Sequence, residues 1–85
     1  MKKIYVIGRP GCGGCQRLKE ALSRLGVVFD YKNGEDAKDK AWMIVNGVFL
    51  AYYPALCVDG KLYEYASLFD ENGDLMVDEL RGLVG

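Results

Sequence analysis

Histidine is missing from this 85-residue chain, proline occurs twice and cysteine three times. Three cysteines make a poor disulfide framework. A structural zinc site within one chain wants four ligands, so without imidazole it would need all three sulfurs and a carboxylate, an unusual set. Like charge is never gathered in a block: 11 Lys and Arg stand against 12 Asp and Glu, for a formal net charge of −1. That balance argues against a nucleic-acid or anionic-membrane partner. No apolar run approaches the roughly 20 residues that cross a bilayer. Met1-Lys2-Lys3 mimics the basic start of a signal peptide, yet the apolar stretch behind it stops at Gly8-Arg9-Pro10, too soon for an export signal. The expected location is therefore the cytoplasm. Thiols are kept reduced there, and a close cysteine pair is catalytic or metal-binding rather than structural. Repeats, linkers and low-complexity tracts are absent as well.

What is present is apolar enough to fold. Hydrophobic residues make up 51% of the chain, which argues against disorder, and the length suits one domain over residues 1–85. Lys3-Ile4-Tyr5-Val6-Ile7 is a β-branched and aromatic run that ends at Gly8, and Pro10-Gly11 supplies a turn. Helical spacing follows: Leu18, Ala21, Leu22 and Leu25 line one face, while Arg17, Lys19, Glu20 and Arg24 line the other. Between strand and helix lies Cys12-Gly13-Gly14-Cys15, a C-x-x-C pair whose first sulfur belongs at the helix N-terminus and whose second lies one turn inside.

That placement has chemical consequences. First-turn amides lack intrahelical partners and the helix dipole adds partial positive charge, so a sulfur there is favoured as thiolate, the reactive form. Residues three apart on a helix are neighbours at roughly 5–6 Å, within the separation a disulfide tolerates. Such a bond cross-links a single turn and reads as one that is made and broken. Arg9 and Arg17 flank the turn; they either add positive charge near the sulfurs or are solvated surface groups. Cys57 sits in an apolar run and is read as inert core.

Gly26 suits the left-handed residue that ends the first helix. Val27 to Tyr31 reads as a second strand, and two strands joined by a helix imply a parallel, right-handed crossover. A second helix is expected after Asn33-Gly34, with Glu35-Asp36 at its start, Ala37, Ala41, Ile44 and Val45 on its apolar side and Asn46-Gly47 as its stop. Residues 48–53 suit a strand, a helix extension or an extended loop. Ala55 to Val58, the dipeptide Asp59-Gly60 and Lys61 to Tyr65 form a hairpin signal. Residues 67–73 are polar enough for a loop, after which Asp74 would cap a closing helix whose Leu75, Leu80, Leu83 and Val84 face inward. The order β-α-β-α-β-β-α implies an α/β fold: one mixed four-stranded sheet with helices on both faces. Trp42 and most tyrosines are read as packing, Met43 and Met76 as core filler. Tyr52 and Tyr53, beside Pro54, are either walls of a substrate groove or packing.

Taken together, Cys12-Gly13-Gly14-Cys15 after the first strand, Pro54 before the hairpin and Asp59-Gly60 at its turn resemble the glutaredoxins and glutaredoxin-like redoxins of the thioredoxin fold. The likeness spans nearly the whole chain. It implies a cis Tyr53-Pro54 bond lying against the dithiol, and a Tyr53 backbone free to pair with an extended substrate. It also implies a thiol–disulfide oxidoreductase with Cys12 as nucleophile and Cys15 as resolving thiol, and with Arg9, Gly13, Gly14, Tyr53 and Pro54 at the substrate. The partners expected are a disulfide-bearing protein and a reductant, either glutathione or a thioredoxin-reductase-type enzyme; the Gly-Gly/Asp pattern that helps hold glutathione is not found after Tyr65. The chain is expected to be a monomer with no tightly bound cofactor and no metal. The alternative from another class is a dimeric carrier of a metal or an iron–sulfur cluster on the same cysteines.

Overall fold

In the computed structural model, which describes residues 2–85, the first apolar run forms β1 (Ile4–Gly8). Met1, grouped above with the two lysines, lies outside the described residues. The chain continues through α1 (Gly13–Arg24), β2 (Asp30–Asn33), α2 (Ala37–Val45), β3 (Ala55–Val58), β4 (Lys61–Tyr63), α3 (Tyr65–Leu68) and α4 (Val77–Val84). The sheet order is β2-β1-β3-β4. β1 runs parallel to β2 and antiparallel to β3, and β3 pairs antiparallel with β4. The mixed four-stranded α/β sheet expected from the sequence is therefore present.

Helices cover both faces. Ile4, Val6, Leu56 and Val58 are buried on one side with Leu18 and Leu22 of α1, Leu68 of α3 and Leu80 of α4. Ile7 and Ala55 are buried on the other with Met43 of α2 and Val48. Alternate residues of β1 and β3 thus serve opposite cores, as the period-2 geometry of a strand requires. α1 ends in a Schellman motif: Gly26 takes φ +73°, its N–H donates to Ser23 O, and the Val27 N–H donates to Leu22 O. α2 ends the same way at Asn46-Gly47, and its Asp36 carboxylate accepts from the Lys38 and Asp39 N–H groups. The β3–β4 turn has φ +50° at Asp59 and +85° at Gly60, the paired positive values that a two-residue hairpin needs.

Five expectations are corrected. β2 begins at Asp30 rather than Val27. The Schellman turn uses the Val27 N–H, and pairing with β1 starts only at Tyr5 opposite Asp30, so Val27 and Phe29 pack on the core before the ladder begins. The apolar side of α2 is not Ala37, Ala41, Ile44 and Val45; Ile44 and Val45 are 66% and 85% exposed. The helix is instead rotated to bury Met43 and to set Trp42 on Tyr5, ring centroids 4.7 Å apart, because these side chains offer more area to the sheet. The second hairpin strand ends at Tyr63 rather than Tyr65, and Tyr65 belongs to the short α3 together with Ser67 and Leu68, which were expected in a loop. Asp74 does not cap the closing helix, which starts at Val77 after Met76. Residues 70–74 form a turn in which the Asp70 carboxylate accepts from the Asn72 and Asp74 N–H groups, and Phe69 bridges to Leu75.

The ambiguous stretch 48–53 is an extended loop, with Val48 buried and Phe49 and Tyr52 exposed. Among the described residues no helix is long and apolar enough to cross a membrane.

Candidate functional site

The site is built where β1 stops and α1 starts. Gly11 takes φ +74°, a conformation that side chains with a Cβ rarely adopt, and the chain turns there into the helix. Cys12 is the N-cap residue of α1, in extended conformation, and its Sγ accepts the Cys15 N–H at 3.1 Å. The sulfur thereby takes the place of the usual capping oxygen. Cys15, one turn inside, is 3% exposed, whereas Cys12 is only half-buried. The two are joined as a disulfide with Cα atoms 5.3 Å apart.

Close packing explains the glycines around the pair. A Cβ on Gly14 would lie 3.2 Å from Pro54 Cδ and 3.4 Å from the Phe69 ring, so the buried proline rests directly on the turn that carries the cysteines. The Tyr53-Pro54 bond is cis. Gly13 faces open space, with nothing within 4 Å of its would-be Cβ. Gly8, at the end of β1, lies beneath Cys15: a Cβ there would come within 2.8 Å of the Cys15 Sγ and 3.1 Å of the Tyr31 hydroxyl.

A recess of about 390 Å³ opens over the disulfide, lined by Arg9, Cys12, Gly13 and Cys15 together with Gln16, Lys19 and Tyr31. Its rim is cationic and the cations rest on aromatic faces. Arg9 lies over the Tyr53 ring at 5.6 Å and Lys19 over the Tyr31 ring at 4.4 Å. Arg17 lies over Phe69 at 6.0 Å, beside Gly14. Burial, then the nearby Asp39 and Glu35 carboxylates, push the Tyr31 phenol up from its ordinary value.

Of the residues singled out in the sequence, Arg9, Cys12, Gly13 and Cys15 share this recess, and Gly14 and Pro54 meet beneath the turn. The Tyr53 ring packs on Gly34 and under Arg9, while Tyr52 is 74% exposed. Sequence reasoning missed Gln16, Lys19 and Tyr31 as lining. Lys19 was legible in principle, because it follows Cys15 by one helical turn. Tyr31 was not, since only the β1–β2 pairing brings it to the helix start. Cys57 is buried in β3, and burial, partly offset by the Gly60 N–H, raises its thiol pKa. Among the described residues no three Cys, Asp or Glu side chains are grouped so as to hold a metal ion.

No family model matches the chain, and no curated protein matches it by sequence. Solved structures do. A crystal structure of a mutant of the thioredoxin-like protein BC3987 aligns over 98% of this chain and 95% of its own, with TM-score 0.67 and 22% identity. Glutaredoxin 1 from Francisella tularensis, crystallised in complex with cacodylate, aligns over 73% of this chain and 80% of its own, with TM-score 0.56 and 17% identity. The chain is thus a thioredoxin-fold protein, glutaredoxin-like in the order of its elements, with its cysteine pair where the first strand meets the first helix.

Proposed function

We propose that the chain is a thiol–disulfide oxidoreductase acting on disulfide-bearing proteins. The reading rests on one observation: the half-buried Cys12 sulfur caps α1 and accepts an amide N–H, while its partner Cys15 is buried behind it. An N–H donor and the positive end of the helix both favour the thiolate. In the reduced protein the Cys12 thiolate attacks a sulfur of the substrate disulfide; a Cys12–substrate disulfide forms and one substrate thiolate leaves. Cys15 then gives up its proton and attacks the Cys12 sulfur, closing Cys12–Cys15 and releasing the second substrate thiolate. Two electrons pass to the substrate, and an external thiol reductant restores the dithiol. Pro54 beneath the turn, the Tyr53 backbone and the Arg9 rim would orient the incoming chain, with Gly13 leaving its approach clear. A reducing compartment such as the cytoplasm suits this direction of electron flow.

Alkylation of Cys12 in the reduced protein, titrated against pH, tests the reading. The thiol should ionise below the ordinary value of about 8.5. Cys12 reacting no faster than free cysteine at neutral pH would overturn the activated thiolate. Cys15→Ser should trap a mixed disulfide with a substrate protein. Parallel assays driven by glutathione with its reductase, or by thioredoxin reductase, identify the reductant. Anaerobic purification that returned a coloured dimer with metal bound to these sulfurs would instead favour the cluster carrier.

A further inference from the structure

We propose that the Tyr31 hydroxyl is the hydrogen-bond donor that receives the buried Cys15 sulfur when the disulfide opens. This rests on the exchange chemistry proposed above and names a residue for its least exposed step. Opening begins when a reductant thiolate attacks Cys12 Sγ. A reductant–Cys12 disulfide forms, the Cys12–Cys15 bond breaks, and its electron pair leaves on Cys15 as thiolate. Cys15 is 3% exposed, so water is poorly placed to solvate that charge, and an unsolvated buried anion is costly. In the reverse direction the same sulfur must lose its proton before it attacks.

Tyr31 is placed for this work. Its hydroxyl and the Cys15 Sγ flank one point above Gly8, 3.1 and 2.8 Å from where a Cβ would stand, and only the missing side chain leaves that space open. Both residues line the recess over the disulfide. Among the described residues no side-chain hydrogen bond, to Cys15 Sγ or to any other group, employs the Tyr31 hydroxyl while the disulfide is closed, so the donor is uncommitted when the sulfur is released. The Lys19 ammonium, 4.4 Å from the ring centroid, pins the ring from the helix that carries Cys15. The surroundings keep the phenol protonated: although Tyr31 is 38% exposed, partial burial and then the carboxylates of Asp39 in α2 and Glu35 in the turn before it raise its pKa. Lys19 and, across the recess, Arg9 are the cations nearby. A phenol that holds its proton remains a donor throughout the neutral range.

Single-turnover opening of the disulfide by dithiothreitol, followed by acid quench and mass spectrometry, tests the assignment with Tyr31→Phe, which keeps the ring and removes only the oxygen. Loss of a hydrogen bond to a charged group predicts opening slower by about ten- to hundred-fold. Alkylation of Cys12 in a Cys15→Ser background should change less than about twofold, because that sulfur is served by the helix N-terminus. The wild-type opening rate, corrected for dithiothreitol ionisation, should also fall at alkaline pH as the phenol ionises, and Tyr31→Phe should lack that fall. Equal opening rates in wild type and Tyr31→Phe, or a slowed Cys12 alkylation of the same size, would overturn the role of Tyr31 and leave the exchange chemistry standing. A wild-type protein whose Cys12 is no more reactive than free cysteine would sink the exchange chemistry itself.

Discussion

Replacing Gly8 by alanine sets a methyl group against the Cys15 sulfur at 2.8 Å and against a ring carbon and the hydroxyl of Tyr31, each at 3.1 Å. The first distance is shorter than side chains tolerate, and neither neighbour is the loose end of a flexible chain: Cys15 is tied into α1 and into the disulfide, and Tyr31 lies under Lys19. Forcing a carbon into a packed site costs about 1–3 kcal/mol, whereas removing a glycine from a strand recovers roughly 0.5–1 kcal/mol. Taking the middle of each range, the expected net loss is about 1 kcal/mol, which for a domain of this size lowers Tm by roughly 4–8 °C. Thermal unfolding followed by circular dichroism, on oxidised and reduced protein, measures it. Gly13→Ala serves as the control. Its Cβ would meet nothing within 4 Å and it lies in the first turn of α1, so it should be neutral or slightly stabilising. If Gly8→Ala melts with wild type, or if Gly13→Ala loses as much, the described packing of Cys15 over the end of β1 is wrong.

Gly34→Ala should also destabilise, because a Cβ there collides with the Tyr53 ring; the same melts read it, and relief by a second change, Tyr53→Ala, would locate the clash. Leu22→Ala, at a fully buried position of α1, should cost about 2–5 kcal/mol in urea titrations. Burial raises the folded pKa of the Cys57 thiol above its ordinary value, so its contribution to stability is complete below that ordinary value and is lost as pH rises through the folded pKa. The alkaline fall in Tm above about pH 9 should therefore be shallower in Cys57→Ala, with Tyr31, also raised, still contributing near and above pH 10. Asp59→Ala should weaken the β3–β4 turn by about 1–2 kcal/mol, since it removes the carboxylate that accepts the Lys3 N–H and puts alanine at φ +50°; Asp59→Asn should recover most of the loss.

Local chemistry in the sequence determined a good deal about this protein. Gly26 and Gly47 ended helices because only a residue at ease with positive φ closes a Schellman turn, and Asp59-Gly60 made a hairpin for the same reason. The 3.6-residue spacing of Leu18, Leu22 and Leu25 oriented α1, and with it the cysteine pair. Tertiary structure decided what spacing could not. α2 turned Ile44 and Val45 to solvent because Trp42 and Met43 found larger partners on the sheet, a choice that depends on residues far away in sequence. β2 waited until Asp30 because its register is set by β1. Only that pairing carries Tyr31 to the start of α1, where Gly8 leaves room for a hydroxyl beside a buried sulfur.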